Sequence, residues 1–179
     1  LEQLAQQVEH AWQDLQSVKF TPKAEIRNVV VAGMGGSGIG ADVVKHVFKQ
    51  ELTTPFDFVH DYTLPGYVDE HTLVVLASYS GTTEEINSCA AIAHEENCQI
   101  MVISAGGALS DFAREHNYAL YTINPTYNPS NQPRMAIGYA VFGMIGLLAK
   151  AGVVQLSDSQ VQAVVTTIKR QVAACTVEV

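Results

Sequence analysis

Cysteine is scarce in this sequence and badly spaced for pairing. There are three, Cys89, Cys98 and Cys175, with no C-x-x-C spacing. An odd count argues against a disulfide framework and against a cysteine-based zinc site, and reads as reduced thiols in a cytoplasmic protein. Positive charge is scarce too: 10 Lys and Arg stand against 18 Asp and Glu, a formal net charge of −8. That balance argues against nucleic acid or an anionic membrane as the main partner. It leaves room for an anionic substrate in a small, locally positive site. Long apolar runs are missing. The nearest, Met135 to Leu148, falls short of the roughly 18 residues a membrane helix needs and is broken by glycines. The first residues carry no basic-then-apolar leader pattern. They also carry no initiator Met, so we expect a piece of a longer chain. His71, His94 and His116 have no ligand spacing, so neither a metal nor an organic cofactor is expected.

What is present is a globular chain of 179 residues, 47% hydrophobic, enough for a single core. Leu4, Val8, Trp12 and Leu15 recur at helical spacing, which predicts a helix over residues 2–17. β-branched or apolar runs predict buried strands at Asn28–Ala32, Phe56–His60, Thr72–Ala77, Gln99–Ser104 and Ala119–Ile123. Helical patterns fall between and after them, at Ile39–Phe48, Thr82 to Asn97, Leu109–Glu115, Arg134–Lys150 and Ser157–Ala174. The alternation implies an α/β three-layer αβα sandwich around a five-stranded parallel sheet. Ligands of such folds bind beyond the carboxyl ends of the strands.

The informative sequence lies at those strand ends. Gly33-Met34-Gly35-Gly36-Ser37-Gly38-Ile39-Gly40 follows the first strand and opens a helix. Glycines let the backbone approach a ligand, and the helix N-terminus offers unpaired N–H groups to an anion. Gly33, Gly35 and Gly38 also satisfy a dinucleotide fingerprint, although the acidic residue it requires, Asp61, comes late. A merely structural turn is the third reading. The second signal is Ser78-Tyr79-Ser80-Gly81-Thr82-Thr83-Glu84, after the third strand. Ser78, Ser80, Thr82 and Thr83 place four hydroxyls at one helix start, more than a cap requires. They suit a phosphate held by hydroxyls and amides. Thr82 and Glu85 also have capping-box spacing. A phosphosugar site uses both signals, whereas a dinucleotide fold leaves the second idle.

The serine loop resembles the phosphate loop of sugar isomerase (SIS) domains. Together with Gly33–Gly40, Ala41-Asp42, Pro133-Arg134 and Tyr139, the chain looks more specifically like the bifunctional phosphoglucose/phosphomannose isomerases of bacteria and archaea. The resemblance implies aldose–ketose isomerisation of glucose 6-phosphate or mannose 6-phosphate to fructose 6-phosphate through an enediol. It implies that Ser78, Ser80 and Thr83 hold the phosphate, that Gly36 and Ser37 lie against the sugar, and that Arg134 is catalytic, polarising oxygens near the reacting carbons. Members of that family have a second such domain carrying their catalytic glutamate, lysine and histidine. The expected organisation is therefore a helical lead-in at 1–27, the SIS domain at 28–152, and a helix at 153–179 leading toward a missing second domain. Within this chain, His60, Glu84 and Glu85 are the residues weighed as substitute bases. The glycines of Gly138 to Gly146 allow close helix packing, expected either in a homodimer or in the core. Two other readings stay open: a non-catalytic sugar-phosphate sensor and a single-domain phosphosugar isomerase.

Overall fold

The computed structural model describes residues 2–175. Five strands form one parallel sheet: β1 (Asn28–Gly33), β2 (Phe56–Val59), β3 (Thr72–Ala77), β4 (Gln99–Ser104) and β5 (Ala119–Thr122), in the order β2-β1-β3-β4-β5. The six helices of the described residues are α1 (Leu4–Leu15), α2 (Ile39–Val47), α3 (Glu84–Glu95), α4 (Gly107–Glu115), α5 (Ile137–Lys150) and α6 (Asp158–Cys175). The expected αβα sandwich is thus the architecture found, with element ends displaced by a few residues. Residues 176–179 of the expected C-terminal segment lie outside the described residues.

Successive strand side chains point to opposite faces, and here each face finds its own helices. Val29, Val31, Leu73, Val75, Met101 and Ile103 join the core beneath α1, α2 and α5. Val30, Val74, Leu76, Ile100 and Val102 join Ile86, Ala90, Leu109 and Ala113 beneath α3 and α4. The apolar runs inside β1, β3 and β4 follow from burial on both faces. The chain leaves β1 toward β2 on one side and, from β3, runs toward β4 and β5 on the other. The exits of β1 and β3 therefore flank a topological switch point, the crevice where such sheets take ligands. Both sequence signals sit there.

The glycines of α5 are used inside the chain. A methyl group on Gly138 would come within 2.7 Å of the Gln7 side chain, and one on Gly143 within 2.6 Å of the Tyr121 ring. One on Gly146 would run into Leu15. α5 is the buried core helix of the two alternatives, packed between α1 and the sheet, and its glycines supply no ground for a second copy. α1 shares that core through Ala5, Val8, Ala11 and Leu15. Burial of side chains such as Val8 and Leu15 contributes about 1.5–3 kcal/mol each. α6 lies on α1: the Trp12 indole N–H donates to Asp158 (2.7 Å), Lys169 pairs with Glu9 (3.0 Å), and Val161 and Val165 are buried.

Candidate functional site

After β1 the chain makes a 3-10 turn, Gly35–Gly38, and enters α2. The glycines there have different tasks. Gly38 leaves room for the Phe58 ring, and a methyl on Gly40 would lie 2.8 Å from the Ala140 carbonyl of α5. These two serve packing. Gly36 has only ordinary neighbours: a methyl there would lie 3.8 Å from the Arg134 Cα. The turn reading therefore accounts for part of the run, and Gly36 faces the chain segment that carries Arg134. The dinucleotide reading finds no acid at the end of β2. Asp61 lies two residues beyond it and accepts the Tyr62 N–H through its carboxylate (2.6 Å).

The serine loop is not a helix cap. α3 begins at Glu84 with Thr83 as its cap residue, and no side chain caps it. The expected capping box is absent because its hydroxyls are engaged elsewhere. Thr83 Oγ1 bonds to the buried Ser78 Oγ (2.8 Å), and the Thr82 hydroxyl donates to Ser80 Oγ (3.0 Å). Ser78 Oγ also accepts the Gly81 N–H (3.1 Å). The hydroxyls turn toward one another and leave the first N–H groups of α3 without a side-chain acceptor, at the positive end of the helix dipole. Ser80 is exposed at the loop tip.

Two further loops brace this one. The Ala105 N–H donates to the Tyr79 carbonyl (2.9 Å), and the Leu109 N–H to that of Gly81 (3.0 Å). The contact is so close that a side chain on Gly107, at φ +68°, would lie 2.5 Å from the Ser80 carbonyl. From the β1 side, Ser37 Oγ accepts the Tyr79 N–H (3.1 Å).

Arg134 sits in a separate 3-10 turn, Pro133–Met135, before α5 begins at Ile137. It is not at the α5 start, as the sequence pattern had it. Its side chain is exposed and makes no ion pair or hydrogen bond among the described residues. The turn is gripped from α1. Buried Gln7 donates to the carbonyls of Tyr127 (2.9 Å) and Met135 (2.8 Å) and accepts the Gly138 N–H (3.0 Å). The Tyr139 hydroxyl accepts the Tyr127 N–H (3.1 Å) and meets His10 Nδ1 at 3.0 Å. Burial, the largest influence on Tyr139, holds its phenol neutral.

One cleft results, lined by Gly36, Ser37, Ser78, Tyr79 and Pro133. Thr83 joins through Ser78, Ser80 caps the same loop, and Arg134 stands beside Gly36. A groove of about 1070 Å³ opens on the other side of Arg134, bounded by α1, α6 and residues Tyr127, Met135 and Ile137. Ser80, Thr83 and Arg134 are not among the residues that line the cleft, and neither are His60, Glu84 and Glu85. The His60 ring packs on Phe58 with centroids 3.9 Å apart, and Glu84 accepts from the Tyr62 hydroxyl at 3.5 Å. Tyr79, Gln7, Asn128 and the Gly106-Gly107 pair escaped the sequence reading. A glycine pair right after β4 was the available signal for the last; a lone Gln on a helix gives none. Among the described residues no group of three or more His, Cys, Asp or Glu could hold a metal ion. No helix there is long and apolar enough to cross a membrane.

A family model described as SIS domain matches residues 24–150. The chain is 35% identical over 167 residues to the bifunctional phosphoglucose/phosphomannose isomerase of Caldicellulosiruptor bescii, covering 92% of this chain and 48% of that protein. It is 32% identical over 115 residues to the D-glucosamine-6-phosphate 4-epimerase of Sulfolobus acidocaldarius, covering 64% of this chain and 34% of that protein. The chain spans about half the length, or less, of these curated relatives. Among solved structures, the C-terminal domain of glucosamine-fructose-6-phosphate aminotransferase from Francisella tularensis has the same fold, with TM-score 0.60 and 13% identity over 94% of this chain and 52% of that one.

Proposed function

The chain belongs to the SIS-domain family, and from that premise we propose that it is the phosphate-binding half of a sugar-phosphate isomerase. The whole protein would interconvert glucose 6-phosphate or mannose 6-phosphate with fructose 6-phosphate. One observation carries the reading: at the switch point of the sheet, the serine loop, whose hydroxyls cap no helix, shares a cleft with the open Gly36-Ser37 turn, and the backbone of Arg134 passes beside Gly36.

In this reading, Ser78, Ser80 and Thr83 give hydrogen bonds to the phosphate, and the amides at the start of α3 add the helix dipole. The sugar runs past Gly36 and Ser37 toward Arg134. The reaction moves a proton from C2 to C1 of the aldose, and another between the O1 and O2 oxygens, through an enediol. The guanidinium stabilises negative charge developing on those oxygens. The carbon-bound proton needs a base, and none of the candidates in this chain lines the cleft. We assign the base, as the family resemblance implies, to the part of the relatives' length that this chain does not span. No cofactor has a step in this chemistry. The reading includes a cytoplasmic compartment, supported by three free thiols, and a homodimer, for which exposed Met135 and Ile137 beside Arg134 offer a surface.

The test is a coupled assay for fructose 6-phosphate from each aldose phosphate, together with calorimetric titration of the same sugars. Binding without turnover is the expected result. Rapid turnover by this chain would place the base inside it and favour a self-sufficient isomerase. Absence of any sugar-phosphate binding by the folded chain would refute the reading.

A further inference from the structure

We propose that Tyr79 is a positioning residue that ties the serine loop to the Arg134 turn, fixing the separation between the phosphate end and the reacting end of the ligand. The ligand in this statement rests on the function proposed above; the tie itself rests on contacts.

Tyr79 engages every polar group it has. Its N–H donates to Ser37 Oγ (3.1 Å), after β1, and its carbonyl accepts from the Ala105 N–H (2.9 Å), after β4. Its hydroxyl donates to Asn131 Oδ1 (3.0 Å) and accepts from Asn128 Nδ2 (3.1 Å), both after β5. Four strand exits meet at this residue. Among the described residues, no other hydrogen bond joins residues 78–83 to residues 124–135.

The far side of the tie is firm. Asn128 is buried, its amide also donates to the Gln132 carbonyl (3.0 Å), and its Oδ1 accepts from Ser130 (2.8 Å). Asn131 holds a left-handed φ of 50°, a region that Asn enters more readily than most residues. Gln132 then leads into Pro133–Met135. A displacement of the serine loop is thus passed through one phenol to the backbone two residues before Arg134. The ring itself packs against the core beneath α5, so Tyr79→Phe keeps the packing and deletes only the tie.

The experiment uses the full chain and its Tyr79→Phe variant, with two readouts. Amide hydrogen exchange is followed at Asn131, Met135 and Ala136, whose N–H groups bond within the loop. Affinity is titrated with inorganic phosphate, which touches only the loop end, and with fructose 6-phosphate, which spans both ends. The expected result is exchange about tenfold faster at those three amides and unchanged in β1 and β4. Inorganic phosphate binds within about twofold of the unaltered chain, while fructose 6-phosphate loses about five- to tenfold. Adding Arg134→Ala to Tyr79→Phe costs little beyond Arg134→Ala alone, because the two act through one contact. Unchanged exchange, equal loss of both ligands, or full additivity overturns the proposal. If the unaltered chain binds no sugar phosphate, the proposed function fails and the exchange rates decide the tie alone.

Discussion

Removing the Ser80 hydroxyl separates ligand binding from folding, because the free structure uses that hydroxyl so little. It is exposed and accepts from the Thr82 N–H (3.2 Å) and Thr82 hydroxyl (3.0 Å), both of which water can serve. Ser80→Ala should therefore change stability by no more than about 0.5 kcal/mol. A hydrogen bond to a charged group contributes about 1.5–3 kcal/mol. The phosphate ligand should then bind roughly 10- to 150-fold more weakly. Ser78→Ala is the contrast. Ser78 is 2% exposed, and its Oγ serves both Thr83 Oγ1 and the Gly81 N–H. Its loss strands a neighbouring hydroxyl, at about 1–3 kcal/mol, and should lower the melting temperature by roughly 2–12 °C in a domain of this size. Calorimetric titration with fructose 6-phosphate and thermal unfolding measure the two effects on the same samples. Ser80→Ala binding within twofold of the unaltered chain would refute the phosphate assignment, whatever Ser78→Ala does.

Glycines of the first loop should divide in the same way. Gly36→Ala has room in the free protein and should fold normally but block the sugar, whereas Gly40→Ala meets a backbone carbonyl at 2.8 Å and should destabilise by about 1–3 kcal/mol; paired melting and titration curves distinguish them. Thiol labelling of the native chain near pH 8 should consume one equivalent, at exposed Cys175, and three only in denaturant, since Cys89 and Cys98 are buried. Burial raises the Cys89 thiol to about 11 and the Cys98 thiol to about 12, from a usual value of 9.0. Because the folded values lie above the unfolded one, their contribution is complete below about pH 9 and is lost as pH rises toward 11–12; the urea midpoint should fall between pH 8 and pH 10.5, and less so in Cys89→Ala.

The sheet was legible because burial on both faces leaves uninterrupted apolar runs such as residues 73–77, and the serine loop because four hydroxyls at one helix start exceed a cap's needs. What stayed hidden had one of two causes. Some residues act through partners distant in sequence: Gln7 meets Tyr127, Met135 and Gly138 more than a hundred residues away, and no local pattern marks it. Others carry two meanings at once. Gly38 fits the fingerprint spacing, yet its task is to admit the Phe58 ring. Thr82 and Glu85 fit a capping box, yet α3 starts later because Ser78 and Ser80 attract the threonine hydroxyls away from the helix.

Gln7 also decides whether α1 is a mere lead-in or part of the site. The matched SIS region begins at residue 24, which leaves α1 outside it, yet Gln7 is 4% exposed and satisfies two carbonyls and one N–H around the Arg134 turn. Gln7→Leu has similar bulk and no polar atoms. It would leave three backbone groups unpaired, the buried Gly138 N–H and the part-buried Tyr127 and Met135 carbonyls, each costing up to about 1–3 kcal/mol, of which local relaxation and water would recover part. A net loss of about 2–5 kcal/mol should appear as a melting temperature lower by roughly 4–20 °C. Gln7→Glu should be damaging as well, since a carboxylate facing the Tyr127 and Met135 carbonyls has no proton to give them. Its effect should shrink as pH falls, because the acid regains a donor on protonation, and burial beside two carbonyl oxygens raises that transition above the ordinary Glu value of about 4.3. A turn held only by the serine loop would show neither loss: melting of both variants within 1–2 °C of the unaltered chain, with Arg134-dependent affinity intact, would remove α1 from the site and restore it to packing alone.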